Sequence, residues 1–173
     1  KTSRYNFDQS KSLDETIKIM KLEICANSFQ SALNAQQAGA HRIELCSELS
    51  IGGMTPSYGL INKVVHELSI ETVVLIRPRS GNFVYSDSEF QVLKNDIRIC
   101  KELGVDGIVS GVLNTDNTID IERTKELVEL SKPLQFSFHR AFDIVPNPKR
   151  ALQELIELGV HRVLTSGQKL KAI

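Results

Sequence analysis

The 173-residue sequence contains no tryptophan, only three cysteines and no long apolar segment. Its longest aliphatic run is VVLI at residues 73–76, whereas a membrane-spanning helix needs about 20 apolar residues. Three cysteines cannot form a paired disulfide framework, which favours a reducing, cytoplasmic compartment. Net charge is also absent, because 21 basic residues balance 21 acidic ones. We therefore expect neither nucleic acid nor a membrane as a partner.

Residues 1–20 differ from the rest of the chain in being polar and outside any repeat. Ser12 and Glu15 have the spacing of a capping box, which predicts a short helix over residues 13–19. A disordered leader is the alternative. Residues 21–173 then form one predicted domain, long enough to bury a sizeable core.

Short β-rich runs alternate with helix-period segments from residue 21 onwards. The predicted strands cover residues 22–26, 42–46, 72–76, 106–111, 133–138 and 161–167. The helices between them have start signals at Ser28, Ser57, Ser88, Asp120 and Pro148, and three end at Gly39, Gly104 and Gly159. The related segments AGAHRIELCS, LGVDGIVSG and LGVHRVLTSG each place a helix-ending glycine before a strand. This alternation predicts a parallel α/β sheet.

Polar residues recur in pairs on one face of the predicted strands, since side chains alternate along a strand. The pairs are Glu23 with Cys25, Glu44 with Cys46, Arg77 with Arg79, and Ser137 with His139. A central strand of an open, doubly wound sheet is normally apolar on both faces, whereas a barrel strand turns one face to the lumen. We predict an α/β TIM barrel that is apparently truncated after about six strands, because a closed one has eight strand–helix units.

Cys25 and Cys46 are the candidate metal ligands. They share a face on adjacent predicted strands, which lie about 4.8 Å apart, so the two sulfurs converge if the register allows. Two thiolates in a reducing compartment suit copper(I). The alternative is that both are small buried apolar residues, the usual state of a free cysteine. Packing on a helix is sufficient to explain Cys100.

Glu23 and Glu44 need partners inside a barrel, because burying an unpaired charge is costly. Arg77 and Arg79 in the segment RPRSG are the predicted partners, since arginine forms bidentate contacts with carboxylates and phosphates. The residues leave two interpretations open, a binding site for an anionic substrate and a salt-bridged lumen.

His139, Arg140 and Asp143 belong to the segment HRAFD, which follows the fifth predicted strand. Active sites of TIM barrels form at the carboxyl ends of the strands, and histidine carries protons near neutral pH. The candidate catalytic residues are therefore His139, Glu44, Arg77 and Asp143. A purely structural role for His139 is equally open.

The loop SELSIGGMTPSYG at residues 47–59 contains the adjacent glycines Gly52 and Gly53. Such glycines let backbone N–H groups approach an anion, but the loop lacks the P-loop lysine pattern. A turn-rich connection is the alternative. His41 and His161 precede strands at the opposite end of the barrel, where we expect them to stabilise the fold.

Together these segments resemble one family, the CutC copper homeostasis proteins. The shared segments are LEIC, AGAHRIELCSELSIGGMTPS, IRPRSGNFVYSDSE, FHRAFD and RVLTSG, and they cover residues 22–167 in order. The resemblance implies a TIM-barrel fold, a cytoplasmic location and copper(I) handling, with Cys25 and Cys46 as copper ligands. Family members continue through two more strand–helix units than this sequence contains.

Two functions remain open at this point. One is a cytosolic copper homeostasis protein that binds copper(I) through cysteine thiolates. The other is a barrel enzyme acting on a small anionic substrate, phosphorylated or not. In it Arg77 binds the anion, His139 transfers a proton and Glu23 or Glu44 serves as base or partner. We also expect either a fragment of a longer protein or a homo-oligomer, because the strands at residues 22–26 and 161–166 would be exposed edges.

Overall fold

The computed structural model describes residues 20–169. The predicted helix over residues 13–19 lies outside the described residues. Six parallel strands form one sheet in chain order. They are β1 (Glu23–Ala26), β2 (Arg42–Leu45), β3 (Glu71–Leu75), β4 (Gly107–Ser110), β5 (Gln135–Phe138) and β6 (Arg162–Val163).

Five α-helices connect these strands, and each begins with a side chain that accepts a backbone N–H of the first turn. They are α1 (Phe29–Gln37), α2 (Tyr58–Glu67), α3 (Asp87–Leu103), α4 (Ile121–Ser131) and α5 (Pro148–Glu157). The start of α3 differs from the prediction, because Ser86 rather than Ser88 forms a capping box with Glu89. Between residues 20 and 169, no helix combines the length and apolarity needed to cross a bilayer.

The two faces of the sheet bury different sets of side chains. The face under the helices carries the main apolar core, which includes Ile43, Leu45, Val74, Ile108 and Phe136. The opposite face carries a separate small cluster of Cys46, Val73, Leu75 and Val109. The alternation predicted for the strands therefore separates a helix-packed core from a lumen.

The strand order shows which kind of parallel sheet this is. A doubly wound sheet reverses its order at a switch point, whereas β1 to β6 follow one another without reversal. The sheet curves strongly enough for Cys25 in β1 and Leu164 after β6 to line the same cavity. The prediction of a partial TIM barrel with six strands is confirmed. Within the described residues, β1 and β6 are not paired with each other.

Candidate functional site

A cavity of about 150 Å³ opens at the carboxyl ends of the strands, inside the lumen. Five of the residues singled out in the sequence line it, namely Cys25, Glu44, Cys46, Arg77 and His139. Four different strands or strand ends supply them, because parallel strands bring their carboxyl ends to one edge. The sequence prediction therefore located these residues in one place.

The strand register sets the relation between the two cysteines. Cys25 lies opposite Glu44, and Ala26 lies opposite Leu45, so Cys46 is displaced by two residues from the position facing Cys25. Glu44 and Cys46 share the lumen face of β2, and Cys25, opposite Glu44 in β1, lies on the same face of the sheet. Both cysteines therefore point into the lumen. Cys25 is exposed, whereas Cys46 is buried with 1% of its surface accessible. The alternative interpretation, that both are small buried residues, therefore holds only for Cys46.

Both cysteines are thiols rather than thiolates at neutral pH. Burial, and then the negative charges of Glu44 and Glu23, raise the pKa of Cys25 to about 11. Burial, and then Glu44, raise the pKa of Cys46 to about 12. The Cys46 thiol donates to the carbonyl oxygen of Ala26 at a sulfur–oxygen distance of 3.7 Å. An ion that binds these sulfurs must displace their protons.

Glu44 lies in the cavity wall with 6% of its surface accessible. Burial, and then the neighbouring charge of Glu23, raise its pKa to about 7, while Arg42 acts in the opposite direction. Within residues 20–169 the Glu44 carboxyl makes no hydrogen bond or ion pair. It is thus a carboxyl group available to a ligand in the lumen.

The predicted pairing of Glu23 and Glu44 with Arg77 and Arg79 is wrong. Glu23 pairs with Arg42 on the adjacent strand, at the end of the lumen opposite the cavity. Arg42 also contacts Glu71 of β3 at 3.2 Å. The lumen carries this salt-bridged layer because the register places Arg42 directly between the two glutamates.

Arg77 is buried and binds backbone carbonyls instead of a carboxylate. Its guanidinium Nη atoms donate to the carbonyl oxygens of Ile51 at 3.0 Å, Gly53 at 2.9 Å and Gly81 at 2.9 Å. It also lies over the Phe83 ring, with its Cζ 5.1 Å from the ring centroid. Arg77 therefore joins two loops at the cavity mouth and keeps its positive charge there.

Arg79 lies outside the cavity. It pairs with Glu89 in the first turn of α3 and donates to the carbonyl oxygen of Val84 at 2.7 Å. Strand β3 ends at Leu75, so the alternation predicted for Arg77 and Arg79 does not continue beyond the strand. Arg79 holds the loop that leads into α3.

His139 follows β5 and is buried, with 5% of its surface accessible. Its Nδ1 accepts a hydrogen bond from the Ala141 N–H at 3.2 Å. Burial, and then the positive charge of Arg77, lower the pKa of His139 to about 3, so the ring is neutral. The remaining proton is therefore on Nε2, which is buried and has no hydrogen-bond partner.

Asp143 lies outside the cavity that the other candidates line. It lines a neighbouring cavity of about 310 Å³, which shares Arg77 and Phe83 with the first. Its carboxylate accepts bonds from the Ser166 N–H at 3.0 Å, the Gln168 N–H at 3.0 Å and the Arg140 Nε at 2.8 Å. Burial alone would raise its pKa, but bonds from Thr165, Arg140 and the backbone lower it well below the usual range.

The glycine pair of the long loop forms a turn rather than an open anion site. Gly52 donates its N–H to Leu49 and Gly53 donates its N–H to Glu48, both at 3.1 Å. Gly53 has a φ of 86°, and a Cβ there would lie 2.6 Å from a Leu75 methyl carbon. Only glycine fits this approach to the lumen wall.

His41 and His161 have matching structural roles at the amino ends of β2 and β6. The Nδ1 of His41 accepts the Leu22 N–H at 2.9 Å, and that of His161 accepts the Phe136 N–H at 3.2 Å. Each imidazole therefore ties the start of one strand to the preceding strand. These contacts support the stabilising role expected for both.

Two residues of the site were missed in the sequence. Phe83 stacks on His139 with ring centroids 4.7 Å apart. Gly111 makes room for the same imidazole, since a Cβ at this position would lie 2.7 Å from the His139 Cε1. The signal for Phe83 was a lone aromatic within the polar segment RPRSGNFVYSDSE, and that for Gly111 was a glycine directly after a strand.

Comparison with known proteins shows to which family the chain is similar. Residues 20–173 match the CutC family. The copper homeostasis protein cutC homolog of Homo sapiens is 51% identical over 84% of this chain and 54% of its own length. A CutC family protein of Chromobacterium violaceum is 45% identical over 87% of this chain and 61% of its own. The chain thus spans between half and two thirds of the length of these curated relatives.

Solved structures agree with the sequence matches. A CutC structure from Streptococcus agalactiae superimposes with a TM-score of 0.81 at 39% identity, over 87% of this chain and 75% of that one. A sialic acid aldolase of Ruminococcus gnavus gives a TM-score of 0.62 at 13% identity, over 84% of this chain and 54% of that one. The second likeness concerns the barrel fold alone. The matching segments and the shared fold show that this chain belongs to the CutC family of copper homeostasis proteins.

Proposed function

We propose that this chain acts in the cytosol as a copper homeostasis protein and binds copper(I) through Cys25 and Cys46. The observation that carries the proposal is that both sulfur-bearing side chains line one lumen cavity. Thiolates are the ligands that select copper(I) in a reducing compartment. Between residues 20 and 169 no group of three or more histidine, cysteine, aspartate or glutamate side chains is placed to hold a metal ion, so the proposed site consists of the two sulfurs alone.

The exposure of the two cysteines fits the entry of an ion. Cys25 is accessible from solvent on the edge strand β1, while Cys46 is buried two residues further towards the carboxyl ends of the strands. An incoming ion meets the Cys25 sulfur first and then displaces the proton that Cys46 shares with the Ala26 carbonyl. Because copper(I) replaces a proton on each thiol, its apparent affinity is expected to fall as the pH is lowered.

An anaerobic copper(I) titration against a competing chelator tests this proposal. The Cys25→Ser, Cys46→Ser double variant is expected to lose stoichiometric copper binding. Cys100→Ala is the matched control, since Cys100 lies on the buried face of α3, in the main core and outside the cavity. Copper binding by the double variant with the affinity of the parent protein would refute the two-cysteine site.

A second function is favoured by three other candidate residues that line the same cavity. Arg77 provides a positive charge, His139 presents an Nε2–H and Glu44 provides a carboxyl group without a partner. These are the groups that an enzyme needs to bind a small anionic substrate, phosphorylated or not, and to move a proton on it. The barrel fold by itself does not support an enzymatic function, since proteins with this fold have many different functions.

Crystals grown with a small organic anion and with copper(I) separate the two functions. Anion density beside Arg77 supports the enzyme. Metal density shared by the Cys25 and Cys46 sulfurs supports the copper role. A lumen that contains neither would argue against both.

A further inference from the structure

The positive charge of Arg77 is not neutralised by any carboxylate within residues 20–169. Its side chain is 6% exposed, and its three hydrogen bonds go to neutral carbonyl oxygens. Its buried Nε makes no hydrogen bond within residues 20–169, and the group nearby that interacts with it is the neutral Tyr85 hydroxyl. A buried cation is normally paired, because removing it from water is costly. The cavity wall therefore carries a charge that an anion would balance.

His139 also lines the cavity and carries a second unsatisfied donor, Nε2. Its Nδ1 is occupied as an acceptor by the Ala141 N–H, which leaves Nε2 as the protonated nitrogen. That Nε2–H is fully buried and unpartnered. In this tautomer Nε2 has no lone pair for a metal ion, so the ring is suited to donating a hydrogen bond to an oxygen.

We propose that the cavity binds a small 2-oxo or 2-hydroxy monocarboxylate, whose carboxylate lies by Arg77 and whose 2-oxygen accepts the His139 Nε2–H. This inference rests on the second function above, in which the lumen takes an anionic substrate, and names the class of that substrate. It requires no copper at Cys25 or Cys46.

The size and lining of the cavity limit the ligand further. Its volume of about 150 Å³ matches that of cavities that hold a molecule the size of benzene, about six non-hydrogen atoms. Apolar side chains form much of the rest of the wall, among them Leu49, Leu75 and Leu164. A ligand of three or four carbons with one polar end fits this lining.

The charges of the wall favour a monoanion over a dianion. Arg77 supplies one buried positive charge, and Arg140 at the rim is ion-paired with Asp143 at 2.8 Å. Within residues 20–169, Glu44 is the one acidic residue that lines the cavity. The dianion of inorganic phosphate, about half of the phosphate at neutral pH, would leave negative charge uncompensated next to Glu44.

Isothermal titration calorimetry with pyruvate, butyrate and inorganic phosphate tests the proposal on the whole chain. Pyruvate and butyrate each have six non-hydrogen atoms, but only pyruvate has a 2-oxygen. We expect saturable binding of pyruvate, roughly tenfold weaker binding of butyrate because one hydrogen bond is lost, and no saturable binding of phosphate.

Substitutions then assign the contacts. His139→Asn keeps an oxygen acceptor for the Ala141 N–H but removes the Nε2–H, so pyruvate should bind about as weakly as butyrate. At pH 8, where Glu44 is ionised, Glu44→Gln removes a negative charge from the wall and should tighten pyruvate binding several-fold. Arg77→Met should abolish the binding of both carboxylates. His66→Asn, at an exposed position on α2, is the control and should bind as the parent does.

Several results would overturn the proposal. These are the absence of saturable pyruvate binding, unchanged discrimination between pyruvate and butyrate in His139→Asn, or weaker binding in Glu44→Gln. If Arg77→Met fails to fold, the His139→Asn and Glu44→Gln variants still test the proposal. Phosphate binding without pyruvate binding would reject a carboxylate as the ligand, but it would be consistent with the proposed function on an anionic substrate. Copper titration of the same preparation is independent, so a chain that binds copper but no pyruvate loses this inference alone.

Discussion

His139 shows how burial sets the chemistry of one side chain. In the folded chain, burial and the charge of Arg77 lower its pKa to about 3. In the unfolded chain the same imidazole is solvated and takes a proton near pH 6.5. Between these two values the unfolded state binds one more proton than the native state. Stability that depends on a neutral His139 is therefore present above pH 6.5 and is lost as the pH falls towards 3.

The His139→Asn variant should lose this part of the pH dependence. At full slope, one titrating group changes the free energy of unfolding by about 1.4 kcal/mol per pH unit. Urea unfolding at several pH values between 6.5 and 4 measures it for both proteins. The parent should lose stability relative to the variant as the pH falls. Parallel curves for the two proteins would show that His139 is not held neutral by the fold.

The sequence did not indicate the role of Arg42. Nothing in the sequence distinguishes Arg42 from other strand residues, yet it bridges Glu23 and Glu71 within the lumen. The sequence prediction chose Arg77 and Arg79 because they are in phase at the third predicted strand and because arginine forms bidentate contacts with carboxylates. Which arginine faces which glutamate depends on the register between strands about 20 to 30 residues apart, and no local pattern contains that register.

The 3-10 turn at Arg140–Ile144 shows a different limit at the scale of elements. The segment HRAFD was expected to provide catalytic groups at the end of β5. Instead, Asp143 accepts bonds from the backbone N–H groups of Ser166 and Gln168 and from the Thr165 hydroxyl. The turn thereby fixes the loop after β6. The Asp143 carboxylate thus bonds to this loop and to Arg140 of its own turn.

Replacing Asp143 by asparagine should loosen the loop after β6 without unfolding the sheet. The variant loses a charged acceptor, and each hydrogen bond to a charged group contributes about 1.5–3 kcal/mol. Amide hydrogen exchange at Ser166 and Gln168 should therefore accelerate by roughly tenfold or more. Asp116→Asn is the matched control, because Asp116 bonds only within its own turn to Thr118. Unchanged exchange at Ser166 and Gln168 would contradict the anchoring role.

At the scale of the whole molecule, β1 and β6 are the exposed edges of the described sheet. Strand β1 pairs only with β2, and β6 pairs only with β5. Apolar side chains are exposed at both edges, including Leu22, Ile24 and Leu164. Unpaired backbone groups beside exposed apolar surface are a template for pairing with another chain.

We predict that the 173-residue chain self-associates through these edges. Multi-angle light scattering should give a mass above that of the monomer, and Ile24→Lys should lower it because a charge on an edge strand opposes pairing. Ile156→Lys on the exposed side of α5 is the control for association through helices. Dissociation by Ile156→Lys alone would assign the contact to helices. A monomer with a sharp, cooperative melt would show that the six strands suffice.

The sequence by itself determined the strand–helix alternation, most helix starts, the curved parallel sheet and the lumen position of Cys25, Glu44, Cys46, Arg77 and His139. These features follow from periodicities of 2 and 3.6 residues and from capping residues, all of which act over a few positions. Only the tertiary structure decided which groups meet. It set Cys25 opposite Glu44, gave Arg42 to the glutamates, directed Arg77 to loop carbonyls and fixed the proton of His139 on Nε2. The physical reason is that such pairings depend on register, loop path and burial, which arise only when distant parts of the chain pack together.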